Sequence, residues 1–275
     1  MKHTKPLAER RWLNQLEAPT EQFWKSLSIL APMKLTLEQN SITYEGVAPL
    51  EASFVNNQHQ LVIPHPSLNV ETKQITKVYS IESPAGITRS LEFDFINKQS
   101  RLKIAPTDKE NQQKLNQIAS CFGWSMQPET DDLAQSRILR QPTMCPGCQQ
   151  AAKQREKFIH RNPITRILLE QIHQQQSFLF TIAGESAQLT TEIHPKMIQL
   201  KDSFINLKGN HQHLKLDTHR IHALRMGTIK LDGEDYCRIS IINPHGIEIA
   251  SLSTPADSVQ KTWGKILKHP QIGMA

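Results

Sequence analysis

Long apolar runs are missing from this chain of 275 residues. A helix that crosses a membrane contains about 20 consecutive apolar residues, and no stretch approaches even about 18 of them. The first residues, MKHTKPLAERRW, are basic but no apolar segment follows them, so we expect no secretory signal. These absences predict a protein of the cytoplasm with no membrane span.

Cysteine is also scarce, with four residues in the whole chain. The four are Cys121, Cys145, Cys148 and Cys237. So few cysteines in a chain of this length do not indicate a disulfide framework, and a reducing cytoplasm is the simplest setting for them.

The motifs of common enzyme classes are absent as well. The sequence has no P-loop, no G-x-G-x-x-G segment, no Ser/His/Asp set and no pair of carboxylates at a recognisable spacing. No residue is therefore assigned a catalytic role, and the sequence leaves open whether the chain is an enzyme. The net charge of +6 favours an anionic partner. Nucleic acid is not expected, because no Lys/Arg block is dense and no nucleic-acid-binding motif appears.

Two parts of the chain show the same order of predicted elements: a helix, a series of short strands and a second helix. In the first part, Thr20 is the predicted N-cap of one helix, and Thr107 opens the other with Glu110 three residues later. In the second part, Asn162 caps the first helix and Thr254 opens the last. Alternating apolar residues and Pro/Gly/Asn breaks predict antiparallel sheets between these helices.

The two parts also align with each other over a short stretch. Pairing residues 68–78 with 214–224 gives three matches: Leu68 with Leu214, Thr72 with Thr218, and Ile75 with Ile221. We therefore predict an internal duplication in an α+β fold, in which each module is an antiparallel sheet flanked by helices. The predicted boundaries are a first module at 1–120, a linker at 121–161 and a second module at 162–275.

Both parts resemble the HemS/ChuS family of cytoplasmic heme-utilisation proteins. The second part resembles its C-terminal half through ITRILLEQIHQQQSFLFTI, MIQLKDSFINLKGNHQHLKLDTHRIHALRMG and RISIINPHGIEIASLSTPADSVQKTWGKIL. The first resembles its N-terminal half through LEASFVNNQHQLVIPHPSLNVETK and AGITRSLEFDFINKQSRLKI. The resemblance covers most of residues 20–267. It implies two similar α+β modules whose sheets pack together, with heme in a cleft beside them. Related single-module proteins of the ChuX/HutX type form the same pair by dimerising.

The resemblance implies a protein that binds and handles heme in iron and heme utilisation, as a carrier, a sensor or a heme-degrading protein. Heme is then the partner, with the heme-uptake machinery as a further candidate. The chain is either a monomer with pseudo-dimeric halves or a homodimer. The family's distal arginine falls on Gln60 of HQLVIP, with His59 beside it, and an Arg-Lys-Pro run keeps only Arg225. A neutral Gln60 favours carriage or sensing over ring opening.

The family's iron-ligating histidine lies between the modules, where this chain has the segment CPGCQQAAKQREKFIHR. Thiolate and imidazole are both axial ligands of heme iron, so Cys145, Cys148 and His160 are candidate ligands. Arg161 is a candidate partner for a heme propionate, together with the other basic side chains of the segment.

Three further interpretations of this segment remain open. Cys145 and Cys148 supply two of the about four ligands of a structural zinc site. They would then be a half-site shared with another chain, in an interaction or regulatory protein without heme. A redox pair usually starts a helix after a strand, and the preceding DDLAQSRILRQPTM predicts no strand. Finally, Pro146-Gly147 matches a type II turn that the cysteines merely flank.

Overall fold

The computed structural model describes residues 11–16, 20–83 and 89–268. The chain divides into two compact units, with unit 1 extending up to Gln141 and unit 2 from Pro142 onward. Two short exchanges interrupt this division, because Asn40–Tyr44 belongs to unit 2 and Glu185–Ala187 belongs to unit 1.

Up to Gln141 the described chain is built mainly from strands, with three α-helices. Their bounds are β1 (Trp12–Leu16), α1 (Glu21–Leu27), β2 (Met33–Gln39), β3 (Ile42–Ala48), β4 (Phe54–Val55), β5 (Gln60–Ile63), β6 (Ser67–Glu71), β7 (Ile75–Glu82), β8 (Arg89–Phe95), β9 (Ser100–Pro106), α2 (Lys109–Phe122), β10 (Gly123–Pro128) and α3 (Asp131–Ser136). Within unit 1, strands pair antiparallel in the order β10-β1-β7-β8-β9-β2 and in the order β4-β5-β6.

From Pro142 onward the described chain is also built mainly from strands, with three α-helices. The bounds are α4 (Pro146–Glu156), α5 (Pro163–His173), β11 (Phe178–Ile182), β12 (Ala187–Ile193), β13 (Met197–Lys201), β14 (Phe204–Lys208), β15 (His213–Asp217), β16 (Ala223–Leu231), β17 (Glu234–Ile242), β18 (Glu248–Pro255) and α6 (Ala256–Lys268). Strands pair antiparallel in the order β16-β17-β18-β11-β12 and in the order β13-β14-β15. In the described ranges no helix is both long and apolar enough to span a membrane.

The two units repeat one topology, which confirms the predicted α+β duplication. The order β7-β8-β9-β2 in unit 1 corresponds to β16-β17-β18-β11 in unit 2, and β4-β5-β6 corresponds to β13-β14-β15. Helices occupy the same places in the order, since α1 and α5 precede these corresponding strands and α2 and α6 follow them. Each unit buries its own apolar strand faces, for example Leu91 and Phe93 in unit 1 and Ile239 and Ile241 in unit 2.

Thr72 and Thr218, which occupy matched positions in the two units, make the same hydrogen bonds. Thr72 donates from its backbone N and its Oγ1 to the carbonyl oxygen of His59, at 3.0 and 2.6 Å. Thr218 donates in the same way to the carbonyl oxygen of Ser203, at 2.9 and 2.7 Å. Each threonine opens a 3-10 turn after the third strand of its three-strand set, so the two turns are held by the same bonds.

Helix starts follow the predicted caps in two cases and shift in two others. Thr20 Oγ1 accepts from the backbone of Phe23 at 3.2 Å, and Asn162 Oδ1 accepts from that of Ile164 at 3.1 Å. Helix α2 is capped by Asp108, one residue after the predicted Thr107, because a carboxylate is the stronger acceptor for the free N–H groups. Helix α6 begins at Ala256, two residues after the predicted Thr254, because β18 continues through Pro255.

The segment predicted as the linker, 121–161, contains regular structure. It holds β10, α3 and α4, and the division between the two units falls inside it, after Gln141. The boundaries predicted for the two modules remain a prediction.

Candidate functional site

The two cysteines of the CPGC motif lie at the start of helix α4. Cys145 is the N-cap, with an extended backbone (φ -63°, ψ 157°), and Pro146 occupies the first helical position. The backbone N–H of Cys148 donates to Cys145 Sγ at 3.3 Å. The type II turn is therefore wrong. The fixed φ of Pro146 suits the first position of a helix, so Gly147 continues into its first turn.

The two thiols differ in exposure and in acidity. Cys145 is exposed and Cys148 is half-buried. Hydrogen bonds from the backbone and the side chain of Cys148 lower the pKa of the Cys145 thiol below its ordinary value, because these donors stabilise a thiolate. The pKa of Cys148 is raised, first because its thiol donates to Cys145, and Arg155 opposes this rise only in part. Cys145 is therefore the more nucleophilic and the better ligating sulfur of the pair.

His160 and Arg161 lie on the 3-10 turn that follows α4, Ile159–Arg161. Both side chains are exposed. The Arg161 guanidinium carbon lies 5.5 Å from the centre of the Phe158 ring, which orients the cation without removing it from solvent. Cys145, Cys148, His160 and Arg161 are all in unit 2.

His59 and Arg225 lie in different units. His59 is in unit 1, in the turn before β5, where it is exposed and has a positive φ of 62°. Arg225 is in unit 2 and is exposed on β16. Gln60, next to His59, donates from its side-chain amide to the carboxylate of Glu71 on the paired strand β6. Its side chain is thus neutral and already engaged.

Sequence reasoning missed a buried charge cluster in unit 1. Glu92 on β8 pairs with Arg137, and each side chain is 5% exposed. Arg137 also contacts Glu129 at 3.1 Å, and its guanidinium carbon lies 4.9 Å from the centre of the Tyr79 ring. Burial raises the pKa of the neighbouring Asp94, although Arg137 opposes the rise. The sequence feature that could have predicted this cluster is the pair of acidic residues, Glu92 and Asp94, inside the apolar strand SLEFDF.

Each unit contains a cavity, and both of these cavities are too small for a porphyrin. One, of about 90 Å³, is in unit 1 and is lined by residues that include Tyr79, Asp94, Lys98 and Arg137. The other, of about 10 Å³, is in unit 2 beside Arg220. Pockets that enclose small-molecule ligands measure about 300–1,000 Å³. Neither cavity is therefore a heme pocket.

The zinc interpretation gains no support from the geometry. Within the described parts of the chain, no group of three or more His, Cys, Asp or Glu side chains is arranged to hold a metal ion. Cys145 and Cys148 thus find no third ligand among the residues that the structure describes.

Comparison by sequence gives no match, either to a known protein family or to a curated protein. Comparison by structure does. The heme degrading enzyme ChuS of Escherichia coli O157:H7 matches with a TM-score of 0.68 and 13% identity, over 93% of this chain and 86% of that one. Holo-PhuS, a heme-binding protein from Pseudomonas aeruginosa, matches with a TM-score of 0.68 and 12% identity, over 93% and 86%. The chain has the fold of ChuS and PhuS.

A second ChuS structure, described as an E. coli heme oxygenase, matches with a TM-score of 0.67 and 13% identity, over 93% of this chain and 88% of that one. The predicted resemblance is thus confirmed at the level of the fold. At such low identity, the likeness to ChuS and PhuS does not transfer site residues. The roles of Cys145, Cys148, His160, Arg161, His59 and Arg225 therefore have to be argued from this chain.

Proposed function

We propose that the chain binds heme and carries or senses it in the cytoplasm, as part of heme and iron utilisation. The observation that supports this proposal most is the fold shared with ChuS and PhuS over 93% of the chain, because one is named a heme degrading enzyme and the other a heme-binding protein. A fold hosts many functions, so the proposal also needs suitable chemistry on this chain.

Suitable axial ligands are present beside α4. Heme iron accepts a cysteine thiolate or a histidine imidazole. The hydrogen bonds that lower the pKa of Cys145 favour its thiolate, which is the ligating form. His160 is an exposed imidazole of the same unit, and Cys148 is a weaker candidate because its pKa is raised.

Suitable partners for the propionates are also present. Lys153 near the end of α4, Lys157 just after it and Arg161 on the following turn are all exposed. Arg225 is an exposed guanidinium on β16, and a guanidinium binds a carboxylate through two parallel hydrogen bonds. His59 is an exposed imidazole of unit 1, and an imidazole N–H can donate to a carboxylate.

Carriage or sensing is favoured over ring opening because of Gln60. The sequence resemblance implies that Gln60 stands where the family has its distal arginine, and in this proposal its neutral amide brings no positive charge to heme. Its donation to Glu71 also commits the side chain to the strand pair β5–β6. Proteins of heme uptake are the proposed exchange partners.

The proposed compartment follows from the thiols. All four cysteines are free, and two of them, Cys121 and Cys145, are exposed. Free exposed thiols persist in a reducing cytoplasm and are oxidised outside it.

Absorbance spectra of hemin complexes test the ligands. We expect the Soret band of the wild-type complex to shift in Cys145→Ala, because removal of a thiolate changes the ligand field of the iron. His160→Ala should shift the band if imidazole occupies the opposite face. Cys121→Ala and His173→Ala are matched controls, since both side chains are exposed on other helices, and they should leave the spectrum unchanged. Identical spectra for the wild type, Cys145→Ala and His160→Ala would remove both residues from the proposed site.

A further inference from the structure

We propose that Cys145 and Cys148 form a thiol–disulfide exchange site for an anionic low-molecular-weight disulfide such as glutathione disulfide. Cys145 is the attacking thiol, and Cys148 resolves the mixed disulfide. This inference concerns the same two cysteines that the heme proposal names as candidate ligands, but the exchange itself needs no heme.

The placement of the two sulfurs supports exchange between them. Cys145 is the N-cap of α4 and Cys148 lies one turn later, with its backbone N–H on Cys145 Sγ at 3.3 Å. Side chains three residues apart on a helix have Cβ atoms about 5–6 Å apart. A disulfide requires Cβ atoms about 3.5–4.5 Å apart, so a small adjustment of the cap is enough to join the sulfurs.

The division of roles follows from exposure and hydrogen bonding. Cys145 is exposed, so a disulfide in solution can reach it, whereas Cys148 is half-buried behind it. Cys145 lies at the N-terminal end of α4, where the helix dipole stabilises a thiolate, and Cys148 one turn later is placed to attack the mixed disulfide that forms on Cys145.

The residue choice in the motif points to sulfur chemistry as well. Ser, Thr, Asp and Asn are the preferred N-caps, so a cysteine at position 145 is not explained by capping. Glycine is a poorer helix former than alanine, so helix formation does not explain Gly147 either. A Cβ on Gly147 would meet nothing within 4 Å, so packing does not require glycine there.

The charges around the motif favour an anionic disulfide. The N-terminal end of a helix carries a partial positive charge, and it lies at the sulfur of Cys145. Lys153 and Arg155 lie in the last turn of the same helix with Glu156 beside them, and Arg161 follows it, so this part of the chain is positive overall. Glutathione disulfide carries several carboxylates that these groups attract.

The exchange proceeds in two balanced steps. The Cys145 thiolate attacks one sulfur of the disulfide R–S–S–R, whose S–S bond breaks, and a thiolate RS⁻ leaves and takes a proton from water. Cys148 then loses its proton to solvent and attacks Cys145 Sγ, releasing the second RS⁻. Overall, two cysteine thiols are oxidised to a disulfide, and one small-molecule disulfide is reduced to two thiols.

Mass spectrometry of the heme-free full chain after incubation with glutathione disulfide tests the proposal. The wild type should form a disulfide between Cys145 and Cys148 and retain no glutathione on either. Cys148→Ser should retain one glutathione on Cys145, because the resolving thiol is missing. Modification of Cys145 should be about tenfold faster than that of exposed Cys121, because the sulfur of Cys145 lies at the N-terminal end of a helix.

Two variants serve as controls. Cys145→Ser keeps an oxygen acceptor at the N-cap, so α4 remains capped, and it should leave Cys148 as slow as Cys121. Cys121→Ser should behave as the wild type does. The proposal is overturned if the wild type retains glutathione without an internal disulfide, or if Cys145 reacts no faster than Cys121. Because hemin is absent throughout, neither outcome bears on heme binding.

Discussion

At the scale of single residues, Arg137 has the clearest structural role. It follows α3 and lies against β8, where it is the closest cationic partner of the buried Glu92 carboxylate. It also contacts Glu129, Asp94 and the Tyr79 ring. Arg137 thus attaches the first half of the predicted linker to unit 1.

Replacing Arg137 should therefore be costly. Arg137→Ala should lower the free energy of unfolding by about 3 kcal/mol, because the buried Glu92 loses its closest partner and keeps only the longer contacts with Lys103 and Arg101, at 3.7 and 3.9 Å. Urea unfolding measures this loss. Lys34→Ala is the control, since it breaks an exposed ion pair with Glu45, 2.7 Å long, and should cost under about 1 kcal/mol. Equal losses in the two variants would show that the buried pair does not stabilise unit 1.

At the scale of elements, the repeated 3-10 turn links sequence to structure most directly. Thr72 and Thr218 were matched by alignment, and both hold their turn through the same two hydrogen bonds. The two sites differ in burial, because Thr218 is fully buried whereas Thr72 reaches solvent.

This difference predicts unequal effects of the same substitution. Thr218→Val should lower the free energy of unfolding by about 1 kcal/mol, because a buried hydrogen bond to the Ser203 carbonyl is lost. Thr72→Val should cost less than half as much, since water replaces the lost donor to His59. Thermal unfolding of both variants measures the two costs. A larger loss for Thr72→Val than for Thr218→Val would contradict the claim that burial makes the Thr218 hydrogen bond the more stabilising of the two.

Helices were predictable from sequence where a cap and an apolar stripe coincide. Thr20 precedes Phe23 and Trp24, and Asn162 precedes Pro163 and Ile164, so both helix starts were read correctly. Helix α4 was missed because PGCQQAAKQRE has no apolar stripe. Its signals were weaker, namely a proline at the first helical position and good helix formers after it.

At the scale of the whole molecule, the duplication explains which parts of the structure could be predicted from the sequence and which could not. Alternating strands and matched residues such as Leu68 and Leu214 occur in both halves, so each half supports the reading of the other. Residues 121–161 have no second copy, and the candidate ligands Cys145 and His160 lie within them. Their helix and their hydrogen bonds had to come from the structure.

Titration of the wild-type chain with hemin, followed by absorbance, tests the central claim most directly. Binding through a protein ligand predicts a Soret band distinct from that of free hemin, which saturates at a fixed ratio of hemin to protein. A spectrum that remains the sum of free hemin and protein at every ratio would contradict the proposal that this chain handles heme.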